Sequence, residues 1–83
     1  MERWESTFYV IGSTNLMVRK RRDLFANSTT YDYYNEVIDR MVPDSNSLMD
    51  IIRVATTAKK IKEVDEVEWA KMIQAHRKNH NNG

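Results

Sequence analysis

Apolar and polar positions along this 83-residue chain change their period several times, and each change predicts an element. From Glu5 to Ile11 the residues are mostly β-branched or aromatic (Thr7, Phe8, Tyr9, Val10, Ile11), which predicts a strand. Alternation points Phe8 and Val10 one way and Tyr9 and Ile11 the other, so both faces need cover. Gly12-Ser13-Thr14-Asn15 is turn chemistry of a common hairpin length. Leu16-Met17-Val18 with Arg19-Lys20-Arg21-Arg22 then reads as the return strand. A helix from Thr14 to Ala26, capped by Ser13, competes for the same segment, because it would gather Met17, Val18, Leu24 and Phe25 on one face.

Helical spacing follows. Thr29 and Asp32 stand at capping-box distance, and Tyr31, Tyr34, Val37, Ile38, Met41 and Val42 form one stripe that Pro43 ends. Tyr33 and Arg40 fall on the opposite side. Ser47 and Asp50 repeat the cap spacing before a second stripe of Leu48, Ile51, Ile52, Ala55 and Ala58, flanked by Val54 and Ile61, which predicts a helix ending near Ile61. Asp65 opens a third helix, with Glu68 at its third position and Val64 stapled to Trp69 at its fourth. Trp69, Met72, Ile73 and His76 form its stripe. About three residues separate the second and third helices, which predicts that they pack as neighbours.

The expected fold is therefore α+β: an N-terminal β-hairpin followed by three α-helices that cover it. An all-α small helical bundle is the alternative. Residues 1–78 are expected to form one compact domain, with 79–83 a frayed polar tail.

Composition narrows the classes. A chain this short buries only about 60% of the surface its unfolded form exposes. Its 41% apolar content, with two Trp, four Tyr and two Phe, still supplies one modest core. The absence of cysteine removes disulfides, thiolate metal sites and thiol nucleophiles together. With no charged segment leading into an apolar run at residues 1–4, it also predicts a cytoplasmic protein. The longest apolar run, Phe8-Tyr9-Val10-Ile11, is far below the ~20 residues of a membrane span, so no membrane partner is expected.

Net charge is only +1, yet it is distributed in blocks. Arg19 to Arg22 are four adjacent cations, residues 32–50 hold five acids and one Arg, and Lys59, Lys60 and Lys62 precede four acids in 63–68. Four cations in a row are tolerated in solvent, against internal carboxylates, or against a phosphate backbone. Arg19, Lys20, Arg21 and Arg22 are thus candidate nucleic-acid contacts. Arg53 and Lys60 join them, because Arg53, Thr56, Thr57 and Lys60 share the polar face of the second predicted helix. The opposing reading is a solvated edge strand whose charges block edge pairing, or one neutralised by Asp32, Glu36 and Asp39. Those three acids line one face of the first predicted helix, and with the exposed Tyr33 they are candidate protein-binding residues. Trp4 is a second aromatic candidate, although packing of the N-terminus onto the hairpin is the favoured expectation for it.

Catalytic chemistry has little to stand on. His76 and His80 are four apart, but a metal needs a third ligand. Ser and Thr lie mostly at turns and caps, where hydroxyls serve locally. There is no Gly-rich phosphate loop, and no cofactor or small-molecule substrate is implied. The aromatics of an RRM, the GXXG loop of a KH domain and the ligands of a zinc finger are all absent. The reading is a small non-catalytic macromolecule-binding regulator, with nucleic acid as the favoured partner. The alternative is a protein-binding inhibitor or adaptor of the kind phages encode, acting through charged helix faces.

Overall fold

The computed structural model describes residues 3–12 and 14–82, with side chains described as far as Lys78. Five strands and two helices follow in the order β1 (Trp4–Ile11), β2 (Leu16–Asp23), β3 (Ser28–Asn35), β4 (Arg40–Pro43), α1 (Ser45–Thr57), β5 (Ile61–Val64) and α2 (Glu66–Asn82). The strands form one antiparallel sheet in the order β4-β3-β2-β1-β5. The α+β class stands, but the hairpin with three helices does not, and neither does the all-α bundle. No described helix is long and apolar enough to cross a membrane.

The N-terminal hairpin forms as its pattern predicts. Ile11 pairs with Leu16 across a four-residue loop, and Asn15 takes the left-handed conformation at φ 53°. The competing helix over 14–26 is thereby excluded; its proposed cap, Ser13, lies outside the described residues.

The first predicted helix is instead the β3–β4 hairpin. Alternation sends Tyr31 and Tyr33 to one face of the sheet and Asp32 and Tyr34 to the other. Both faces are covered, so the strand shows no apolar–polar alternation, and its aromatics also satisfy a helical stripe. Tertiary packing decides the matter. Val37 and Ile38, at the centre of that stripe, lie in the turn at 77% and 53% exposure, and Asp39 closes the turn at φ 51°.

Helix α1 starts three residues earlier than its cap spacing predicts. Asp44 is the N-cap, and the Ser45 hydroxyl accepts a hydrogen bond from the Tyr31 amide, tying the helix start to β3. The helix stops at Thr57 rather than near Ile61. The Lys60 amide donates to Ala55 and that of Lys59 to Thr56, a Schellman ending that requires Lys59 in the left-handed region at φ 57°. The chain released there pairs with β1, Ile61 opposite Ile11 and Val64 opposite Phe8. This edge strand separates the helices. They cover opposite faces of the sheet and are not packing neighbours.

The α1 face buries Ile11, Val18, Leu48 and Ala55, with Leu16, Tyr31, Tyr33, Ile52 and Ile61 around them. The α2 face buries Met17, Tyr34, Val64 and Trp69, with Phe8, Val10, Met41, Met72 and Ile73. The α2 start follows its sequence signature. The Asp65 carboxylate accepts from the Glu68 amide at 2.8 Å, and Val64 and Trp69 share one cluster. Helix continues to Asn82; the side chains of the predicted frayed tail, and Gly83, lie outside the described residues.

Candidate functional site

The sheet has five strands along only half its length. Strand β5 pairs with residues 8–11 of β1, and β4 with residues 32–35 of β3. Beyond them, residues 4–7, 20–23 and 28–31 continue as a three-stranded extension. Much of it is bare: residues 3–6, Arg22 and residues 24–30 are exposed. The basic run enters this extension, and the pleat splits it. Arg19 and Arg21 project on the α2 face, Lys20 and Arg22 on the α1 face.

Arg19 is neutralised. It lies opposite Asp32 in register and holds that buried carboxylate with two parallel hydrogen bonds, Nε to Oδ1 at 3.1 Å and Nη2 to Oδ2. The next three cations have no carboxylate within ion-pair distance among the described residues. The Arg21 guanidinium rests over the Trp4 ring, 5.1 Å from its centroid, and its Nε is buried without an acceptor among those residues. Arg22 Nη2 donates to the Asn27 side chain at 3.3 Å. Lys20 stands between Thr7 and Tyr31 in register.

Asp23 builds the tip. Its Oδ2 accepts from Arg3 Nε at 3.1 Å and Nη2 at 3.0 Å, and its Oδ1 from the amides of Phe25 and Ala26 at 3.0 and 3.1 Å. The Arg3 bonds and then the Ala26 amide, with the Phe25 amide adding to them, hold this carboxyl below its ordinary pKa. Arg3 also reaches the Trp4 ring, at 5.7 Å. The turn therefore presents its apolar side chains outward: Leu24 is 44% exposed, Phe25 64%, and the neighbouring Trp4 39%.

The acids proposed as a binding face are taken up internally. Their common helical face does not exist, because Asp32 is on a strand and Glu36 and Asp39 are in a turn. Glu36 pairs with His76 Nδ1 at 2.8 Å. Asp39 accepts from Arg77 Nε at 2.8 Å and from the Tyr34 hydroxyl at 2.7 Å. Burial, and then the bond to Asp39, raise the Tyr34 pKa. Tyr33, expected on a free face, is half-buried against the α1 cluster. Arg53 is on the exposed side of α1 beside Asp50, at 3.3 Å. Lys60 is not on that helix at all, but leads into β5, where its carbonyl accepts from the Gly12 amide.

No cluster of three metal-ligating side chains occurs among the described residues, and the His80 side chain lies outside them. The feature that sequence reading missed is the tip. Leu24 and Phe25 read as the apolar face of a rejected helix, whereas the Asp23…Asn27 spacing around them is the turn signal. No family model, curated protein or solved structure matches this chain.

Proposed function

We propose that this protein is a non-catalytic regulator that binds nucleic acid through the three-stranded extension. One observation carries the reading: Lys20, Arg21 and Arg22 are adjacent cations on the three-stranded extension, and no carboxylate among the described residues pairs with any of them. Internal neutralisation accounts for Arg19 alone. Residues 3–7 and 20–31 hold four cations against two carboxylates, a net of +2, while the whole chain is only +1. The positive field is local, which suits a phosphate ligand at one end of the molecule.

A protein-binding adaptor is the second reading. It no longer rests on Asp32, Glu36 and Asp39, which are occupied. Its support is an apolar hollow beside α1, lined by Ile11, Leu16, Ile51, Val54, Ala55 and Ala58.

Oligonucleotide binding followed by fluorescence anisotropy at several salt concentrations separates the two. Each phosphate contact contributes about 0.7–0.9 to the log–log slope. The double variant Lys20→Ala/Arg22→Ala should flatten it by about 1.4–1.8 and weaken all sequences alike. No binding at low salt, or a slope that the substitutions leave unchanged, refutes the nucleic-acid reading.

A further inference from the structure

The extension carries more than charge. Its tip combines cations that project from both faces of the sheet with apolar side chains in solvent, and that combination selects among nucleic-acid forms. We infer that the ligand is single-stranded, with an unpaired base stacked on Phe25 and its flanking phosphates held by Arg21 and Arg22. The inference rests on the nucleic-acid reading above and goes beyond it by naming the form of the ligand and the residue that reads it.

Geometry argues against a duplex. A two-stranded ribbon fits a major groove about 12 Å wide. Here β1 reaches the tip together with β2 and β3, since Trp4 pairs with Asp23 and the Leu24 amide donates to the Arg3 carbonyl. Three strands spaced about 4.8 Å apart, plus their own width, measure about 14 Å, too broad for that groove. The cations are also divided between faces, Arg21 on one and Lys20 and Arg22 on the other. A stiff duplex meets one face, whereas a flexible strand can pass around the tip and meet both.

Chemistry argues for the single strand. Phe25 is 64% exposed, and its backbone is fixed by the Asp23 carboxylate at 3.0 Å, so the ring is presented from an ordered turn. A phosphate backbone has no use for an exposed ring, but an unstacked base does, because every base has a π-face. Arg22 is at the same turn through Asn27. On the other face, the Trp4 ring holds the Arg21 guanidinium in place without neutralising it, as a carboxylate would.

The test compares a labelled mixed-sequence 12-nucleotide single strand with the duplex of the same sequence, using the full chain at low salt. The single strand should bind at least about tenfold tighter. Phe25→Ser should weaken it by about 5- to 150-fold, the range for loss of one base–aromatic stack, with the salt slope unchanged. Phe25→Tyr should restore it. Phe25 is outside both cores, and circular dichroism should show each variant folded. Equal affinity for both forms, with Phe25→Ser binding as wild type, overturns the inference and leaves nucleic-acid binding intact. No binding of either form removes both. Binding only to vesicles of anionic lipid, lost in Phe25→Ser, also overturns both and makes the tip a membrane contact.

Discussion

Truncating Trp69 tests how the second helix is held. The side chain is 6% exposed, and its ring is 4.9 Å from that of Phe8, tilted by 39°. A buried Trp removes about 150–250 Å² from water. At about 25 cal/mol per Å² that is about 4–6 kcal/mol, an upper bound because an unfolded chain already shields part of the surface. Trp69→Ala keeps one methyl and leaves a cavity beside Phe8, so the net cost is about 3–5 kcal/mol. A domain of this length holds about 4–12 kcal/mol in all. Its unfolding entropy, about 0.17 kcal/mol/K, converts the loss to a fall in Tm of about 17–30 °C. The remaining ties of α2 to the sheet, Arg77–Asp39 and His76–Glu36, are largely exposed and contribute about 0–1 kcal/mol each. They do not replace the lost packing. Thermal and urea unfolding, followed by circular dichroism, measures the effect. Trp69→Phe, which keeps a ring against Phe8, should lose less. A Trp69→Ala protein melting within about 3 °C of wild type would refute the argument and place Trp69 outside any core.

Three further outcomes follow from single features. Lys59 occupies the left-handed region where a Cβ is costly, so Lys59→Gly should raise stability by up to about 1 kcal/mol in urea titration; a loss would show that its side chain matters more than its backbone. The Asp23 carboxyl is lowered by Arg3 and backbone amides, so the stability it contributes is present above its unfolded-state value of about 3.9 and is lost as pH falls through the lower folded-state value. Amide shifts of Phe25 and Ala26 should report that transition, and Asp23→Asn should abolish it. A double-mutant cycle on Arg19 and Asp32 should give a coupling of about 1–3 kcal/mol, whereas the exposed Arg53–Asp50 pair should give less than about 1 kcal/mol. Equal couplings would show that burial of Asp32 adds nothing.

Local sequence was sufficient where an element's reasons are local. Turn chemistry between Ile11 and Leu16 favours a hairpin over the competing helix and strand pairing decides it, whereas Asp65, Glu68 and the Val64–Trp69 staple set the start of α2 through contacts within five residues. The single apolar face of α1 was legible for the same reason, although its ends were not. The charges of the extension were visible as Arg19 to Arg22, but their partners were not. Asp32 is 13 residues from Arg19 in sequence, and Trp4 meets Arg21 only because β1 and β2 pair in that register.

Tertiary structure alone decided the segment from Thr29 to Val42. Its aromatics satisfy a helical stripe and a two-sided strand equally, and a strand covered on both faces loses the alternation that would identify it. Pairing with β2 settled the choice, by burying Tyr34 and Asp32 on one side and packing Tyr31 and Tyr33 on the other. The same pairing placed β5 on the free edge of β1, sent the two helices to opposite faces and left three strands extending past both. Which of four adjacent cations remains unpaired, and which phenylalanine stands in solvent, depends on where those helices stop covering the sheet. That boundary is a property of packing between distant segments, and no local period records it.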